Sequence, residues 1–227
     1  MADALGWKTF GLIGHSRGGA ICAYAAALFP DRVLFLVALD SGLGLSGVWV
    51  KDLKPGAPTP VQRMRLAREQ HKRNRQRKEK VFATLEEAIT ANATNDLFKK
   101  SMSTARNIVL RHVRPHPSGG YSFTHDGRTY GQSQYVCLTE EQTRSFLREI
   151  QCPVLKINAK PDAMRYDPAY RSYFEERLKC VQLLDQVVVE GSHHVHSDDA
   201  PATADAVIAW FEKSDRFSSK HSSQAKL

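Results

Sequence analysis

Cysteine is scarce in this sequence: four residues in 227, at positions 22, 137, 152 and 180, with no Cys-x-x-Cys pair. That excludes the common zinc-ribbon and redox spacings and predicts free thiols in a reducing compartment. No apolar run is long enough to cross a bilayer. The opening residues, Met1-Ala2-Asp3-Ala4-Leu5-Gly6, lack both the basic region and the apolar core of a secretory leader. Without a leader, the Asn92-Ala93-Thr94 sequon carries no weight. There is no internal repeat. Acidic residues are outnumbered 24 to 32 by Lys and Arg, for a formal charge of +8. Residues 63–80 hold nine Lys/Arg against two Glu, a local excess of +7. This run has no aromatic residue, and its only apolar residues are Met64, Leu66 and Ala67. A nucleic-acid or membrane-embedding role is therefore disfavoured, and a solvated helix face is expected.

What remains is a composition of ordinary globular type, 42% apolar and 25% charged. Strand-like and helix-like segments alternate. Trp7 to Ile13 is a short apolar run, and Ala20 to Phe29 is alanine-rich with no breaker before Pro30. Val33 to Leu39 is continuously apolar, as in a parallel strand buried on both faces. From about 46 to 148 the pattern turns to Pro/Gly segments and helices, the basic run and 84–93 among them. Strand-like runs return at 154–158 and 187–189, with a helix near 168–180 between them. A last helix, 201–213, sets Ala204, Val207, Ile208 and Phe211 on an expected core-facing stripe. This order predicts an α/β core, 1–45 and 149–213, carrying an inserted helical lid at 46–148 and a disordered tail at 214–227.

Within that order, Gly14-His15-Ser16-Arg17-Gly18-Gly19 joins a strand to a helix. Strand, Gly-x-Ser-x-Gly turn and helix together make a nucleophile elbow. A Cβ at either flanking glycine is expected to strike the neighbouring strand or helix. The turn lifts the Ser16 hydroxyl clear of the sheet. It also sets the Arg17 backbone N–H at a helix N-terminus, where negative charge is stabilised. Arg17 and His15 are therefore the candidate oxyanion and substrate positions.

Serine is a weak nucleophile unless an imidazole takes its proton and a carboxylate orients that imidazole. The strand at 154–158 runs into a loop offering Asp162, and the last strand delivers Gly191-Ser192-His193-His194-Val195-His196. Ser16, Asp162 and His193 then follow the Ser…acid…His chain order. His196 is the rival base. Asp40, after the strand that follows the elbow, is the alternative acid, and Asp167 is near enough to be weighed.

These segments resemble the α/β-hydrolase superfamily, and within it the serine hydrolase-like proteins. The resemblance rests on Gly14-His15-Ser16-Arg17-Gly18-Gly19, Phe29-Pro30-Asp31-Arg32-Val33, the Pro153 to Asp162 strand and the histidine loop. Leu110-Arg111 and Gly119-Gly120-Tyr121 are similar but less specific. It implies a mostly parallel sheet flanked by helices, with Ser16 as nucleophile, His193 as base and Asp162 as orienting acid. It also implies that strands usually found before the elbow strand are missing here, leaving that strand at an edge. One oxyanion donor normally comes from the absent part, so the chain alone is expected to be weakly active or inactive.

The expected reaction is cleavage of an ester or related acyl bond in a small hydrophobic substrate, with a non-catalytic binding protein as the alternative. No cofactor is expected. His194-x-His196-x-Asp198-Asp199 is one residue from a metallo-β-lactamase-type pattern, but the further downstream ligands that fold needs are reduced to His221, so no metal is expected either. The sequence closes on Ala225-Lys226-Leu227, a variant of the Ser-Lys-Leu peroxisomal address. It predicts an import-receptor partner and a peroxisomal location, with the cytoplasm as the alternative.

Overall fold

The computed structural model describes residues 1–44, 58–94, 100–125, 138–160 and 168–213. The chain divides into two compact units, Met1–Ser46 with Glu140–Leu227, and Gly47–Thr139. The division differs from the sequence reading at one end. Residues 140–148 form a helix of the first unit rather than the end of the insertion.

In the first unit, four strands form one parallel sheet: β1 (Phe10–His15), β2 (Val33–Leu39), β6 (Val154–Lys160) and β7 (Leu184–Glu190), in the order β1-β2-β6-β7. β2 is central and apolar throughout, so its side chains alternate between two cores. Leu36 and Ala38 pack with Ala23, Ala26, Leu147, Ile150 and Val154 on one face. Val37 and Leu39 pack with Leu155, Ile157, Val189, Val195 and Trp210 on the other. The small residues of α1 (Arg17–Leu28), Gly19, Ala20, Ala23 and Ala26, are its buried ones and let the helix lie close to the sheet. α5 (Glu140–Arg148) packs against α1, and Glu140 takes a bidentate ion pair from the buried Arg177 of α6 (Pro168–Leu178). Among the described residues β1 has β2 as its one strand neighbour, and Ile13 is 59% exposed.

α8 (Ala200–Lys213) corrects the expected stripe by one position. Of the expected stripe, Val207 and Phe211 pack on the core while Ala204 and Ile208 are exposed, and Thr203, Ala206 and Trp210 complete the core-facing side. Trp210 sets the rotation, because its indole N–H donates to Asp185 Oδ2 at 2.8 Å while its ring is buried.

The second unit holds α2 (Pro60–Gln76), α3 (Leu85–Ala93), α4 (Met102–His112) and a three-stranded antiparallel sheet. That sheet is built from β3 (Val81–Phe82), β4 (Val113–Pro115) and β5 (Tyr121–Phe123), in the order β3-β5-β4. Phe82, Ala88, Ile89, Ala93, Ala105 and Val109 form its core. α2 starts on a capping box between Thr59 and Gln62. Its basic residues Arg65, Arg68, Lys72, Arg73 and Arg75 are exposed, and Ala67 and Asn74 are buried.

Candidate active site

β1 and β2 end at one level, since His15 pairs with Leu39 and Leu39 with Ile157, while β6 and β7 continue to the Lys160–Glu190 pair. Each strand end hangs on its neighbour. Ser16 N–H donates to Leu39 O at 2.9 Å, Asp40 N–H to Ile157 O at 2.7 Å, and Gly191 N–H to Lys160 O at 3.0 Å. Ligand sites in open α/β sheets form at such strand ends.

Ser16 stands between β1 and α1 at φ 52° and ψ −119°, a strained conformation for a residue with a side chain. The glycines explain how the chain makes this turn. A Cβ on Gly14 would lie 2.6 Å from the Gly18 carbonyl carbon and the Gly19 nitrogen. A Cβ on Gly19 would lie 2.6 Å from Ser41 Cβ and 2.8 Å from Gly14 O. Gly18, in contrast, has open space, so the crowding expected at the second flanking glycine falls one residue later. Arg17 is exposed and opens α1, where first-turn N–H groups have no intrahelical acceptor.

The Ser16 hydroxyl donates to His193 Nε2 at 2.8 Å. On the far side of the ring, His193 Nδ1–H donates to Asp40 Oδ2 at 2.6 Å. The second oxygen, Asp40 Oδ1, accepts the Ala159 backbone N–H at 3.1 Å. Burial alone would raise the Asp40 carboxyl. The hydrogen bonds from His193 and Ala159, with the attraction of His193 and Lys156, outweigh it and hold the group below its ordinary value. The carboxylate is therefore ionised and can only accept, which fixes the proton on His193 Nδ1 and leaves Nε2 to accept.

His193 is 5% exposed, in the loop between β7 and α7 (Val195–Asp198). Two contacts that the sequence does not signal hold this loop. Asp198 Oδ2 accepts the Ser192 N–H at 3.0 Å and the Ser192 hydroxyl. His15 Nε2–H donates to the His193 carbonyl at 2.6 Å, bracing His193 from the elbow strand. His15 thus engages the histidine loop, its ring 4.4 Å from that of His196 and 4.6 Å from that of His193. Burial, partly offset by the His193 carbonyl, lowers the His15 pKa to about 4. Burial and the neighbouring His193 lower that of His196 too.

The structure thus brings together Ser16, His193 and Asp40. Asp162 and Asp167 lie outside the described residues, as do 225–227. The carboxylate found on His193 Nδ1 is Asp40, the alternative rather than the favoured acid of the sequence reading. It reaches the ring because β2 lies between β1 and β6, so its end sits beside the elbow. Spacing along the chain carries no such information.

The sequence profile of the α/β hydrolase fold matches residues 1–200. A serine hydrolase-like protein of Dictyostelium discoideum is 27% identical over 223 residues, covering 95% of this chain and 59% of that protein. A serine hydrolase-like protein of Danio rerio is 27% identical over 220 residues, covering 93% of this chain and 63% of its own length. The chain spans about three fifths of the length of these curated relatives. A crystal structure of a hypothetical protein from Pseudomonas aeruginosa superposes with a TM-score of 0.78 at 27% identity, covering 93% of this chain and 71% of that one. A strand–elbow–helix at residues 10–28, a parallel sheet and a profile match over most of the sequence lead to one assignment: the chain belongs to the α/β hydrolase fold family.

Proposed function

We propose that this chain carries the nucleophilic site of a serine hydrolase that cleaves an ester or related acyl bond in a small hydrophobic substrate. The observation that carries this is the continuous hydrogen-bonded path from Ser16 Oγ through His193 to Asp40, at 2.8 and 2.6 Å. In the proposed reaction Ser16 Oγ attacks the acyl carbon while His193 Nε2 takes the hydroxyl proton. Asp40 holds the imidazole in the accepting tautomer and stabilises the imidazolium. His193 then returns the proton to the leaving oxygen, which departs as an alcohol. Water, activated by the same nitrogen, releases the acid from the acyl-enzyme. The Arg17 N–H stabilises the oxyanion from the helix N-terminus. Serine hydrolase-like relatives over nearly the whole chain support the same reaction class.

A fluorophosphonate probe tests this directly, since it reports an activated serine without requiring turnover. The full chain should be labelled at one residue, and Ser16→Ala should abolish the adduct. Labelling that persists in Ser16→Ala, or a fully folded wild-type chain that never labels, overturns the reading. The second outcome favours a non-catalytic binding protein.

A further inference from the structure

Three histidines gather beside the triad without belonging to it. His15 ends β1, His194 precedes α7 and His196 lies within it, and one ring nitrogen from each falls within 4.8 Å of the others. All three residues are partly exposed. His15 donates its Nε2–H to the His193 carbonyl, which leaves Nδ1 with its lone pair. A metal-binding imidazole is typically oriented in this way, by giving its other N–H to a carbonyl. The Nδ1 of His196 is buried with no hydrogen-bond partner, an unsatisfied polar atom in a polar cluster. Burial keeps His15 and His196 neutral at physiological pH, the protonation state that ligates.

We infer that His15, His194 and His196 form a binding site for one borderline transition-metal dication, of the Zn²⁺, Co²⁺, Ni²⁺ or Cu²⁺ class, with water completing the coordination. Three imidazoles with an open fourth position suit such ions, whereas Mg²⁺ and Ca²⁺ demand oxygen. At metal–nitrogen distances near 2.0 Å, tetrahedral ligands stand about 3.4 Å apart. A pair at the 4.8 Å limit therefore has to close by about 1.4 Å. The sequence reading discounted a metal because it looked for further ligands after His196. The missing ligand lies 179 positions before His194, at the end of the elbow strand.

The test uses the full chain after chelator treatment. Titration with Co²⁺ should saturate at one equivalent, giving the visible bands of a nitrogen-ligated tetrahedral ion without thiolate charge transfer. His194→Asn and His196→Asn should each weaken binding about tenfold or more. X-ray absorption on the Zn²⁺-loaded wild type should find three imidazole nitrogens and no sulfur, a measurement that does not depend on variants folding. Absence of saturable binding, sulfur ligation, or undiminished binding in the double variant each overturns the site. A chain that binds metal but is never labelled by the fluorophosphonate probe overturns the hydrolase reading alone.

Discussion

Asp40→Asn is the most informative single substitution, because the structure dictates which way the new amide must face. Asp40 Oδ1 accepts the Ala159 N–H at 3.1 Å, so the amide oxygen is retained there. The amide nitrogen then faces His193 Nδ1, where Oδ2 now accepts at 2.6 Å. Two donors cannot share that contact, so the imidazole must move its proton to Nε2. Nε2–H cannot accept from Ser16. The expected loss is about 10³–10⁴-fold in reactivity, or ~4–5.5 kcal/mol of barrier. The assay is the second-order rate constant for fluorophosphonate labelling, with ester turnover beside it and thermal melting to establish the fold. Asp162→Asn, measured in parallel, should lose less than about tenfold, a residual environmental effect. An Asp40→Asn protein labelling within tenfold of wild type, or a larger loss from Asp162→Asn, refutes the assignment of the orienting acid.

The elbow makes a steric prediction. Gly14→Ala and Gly19→Ala should each destabilise by about 1–3 kcal/mol or more in urea titrations, since their contacts include rigid backbone. Gly18→Ala meets nothing and should be neutral to ~1 kcal/mol stabilising; the reverse order would refute the crowding argument. The Asp40 carboxyl is held below its unfolded value, so its stabilising contribution is full above about pH 4 and disappears as pH falls through the folded value. The urea-midpoint gap between wild type and Asp40→Asn should accordingly narrow towards acid, and a gap that widens would contradict the sign. Arg177→Met removes the bidentate partner of the largely buried Glu140, leaving it the single contact from Arg144, and should cost up to about 3–5 kcal/mol. Adding Glu140→Leu should recover much of that loss in a double-mutant cycle. A fluorescent fusion that keeps Leu227 terminal is expected to be punctate with a peroxisomal marker, and diffuse signal rejects that address.

The sequence was most legible where one physical requirement dominated. β2 was readable to the residue because burial on both faces demands an unbroken apolar run. β1 was placed too early because Trp7 and Lys8 look strand-like, whereas their carbonyls are held by the Arg32 guanidinium outside the sheet. β7 was read only at its three valines. Its first half is polar because Asp185 accepts the Trp210 indole N–H and Gln186 meets Asn158. Ser16 and His193 announce themselves through a strained turn and a histidine loop. The carboxylate that meets His193 does not. Asp40 and Asp162 both follow strands, and the choice rests on which strand lies beside the elbow and which carboxylate the Ala159 N–H orients.

Ser16 and His193 are separated by 177 positions in the chain, yet they meet at 2.8 Å. Ser16 and Asp40 follow the neighbouring strands β1 and β2, whereas His193 follows β7 at the other edge of the sheet order. Closing so long a loop is entropically costly, so this contact is expected to form late in folding. Half-built chains would therefore carry an inert serine, and the gain of probe reactivity during refolding would time the docking of the last strand.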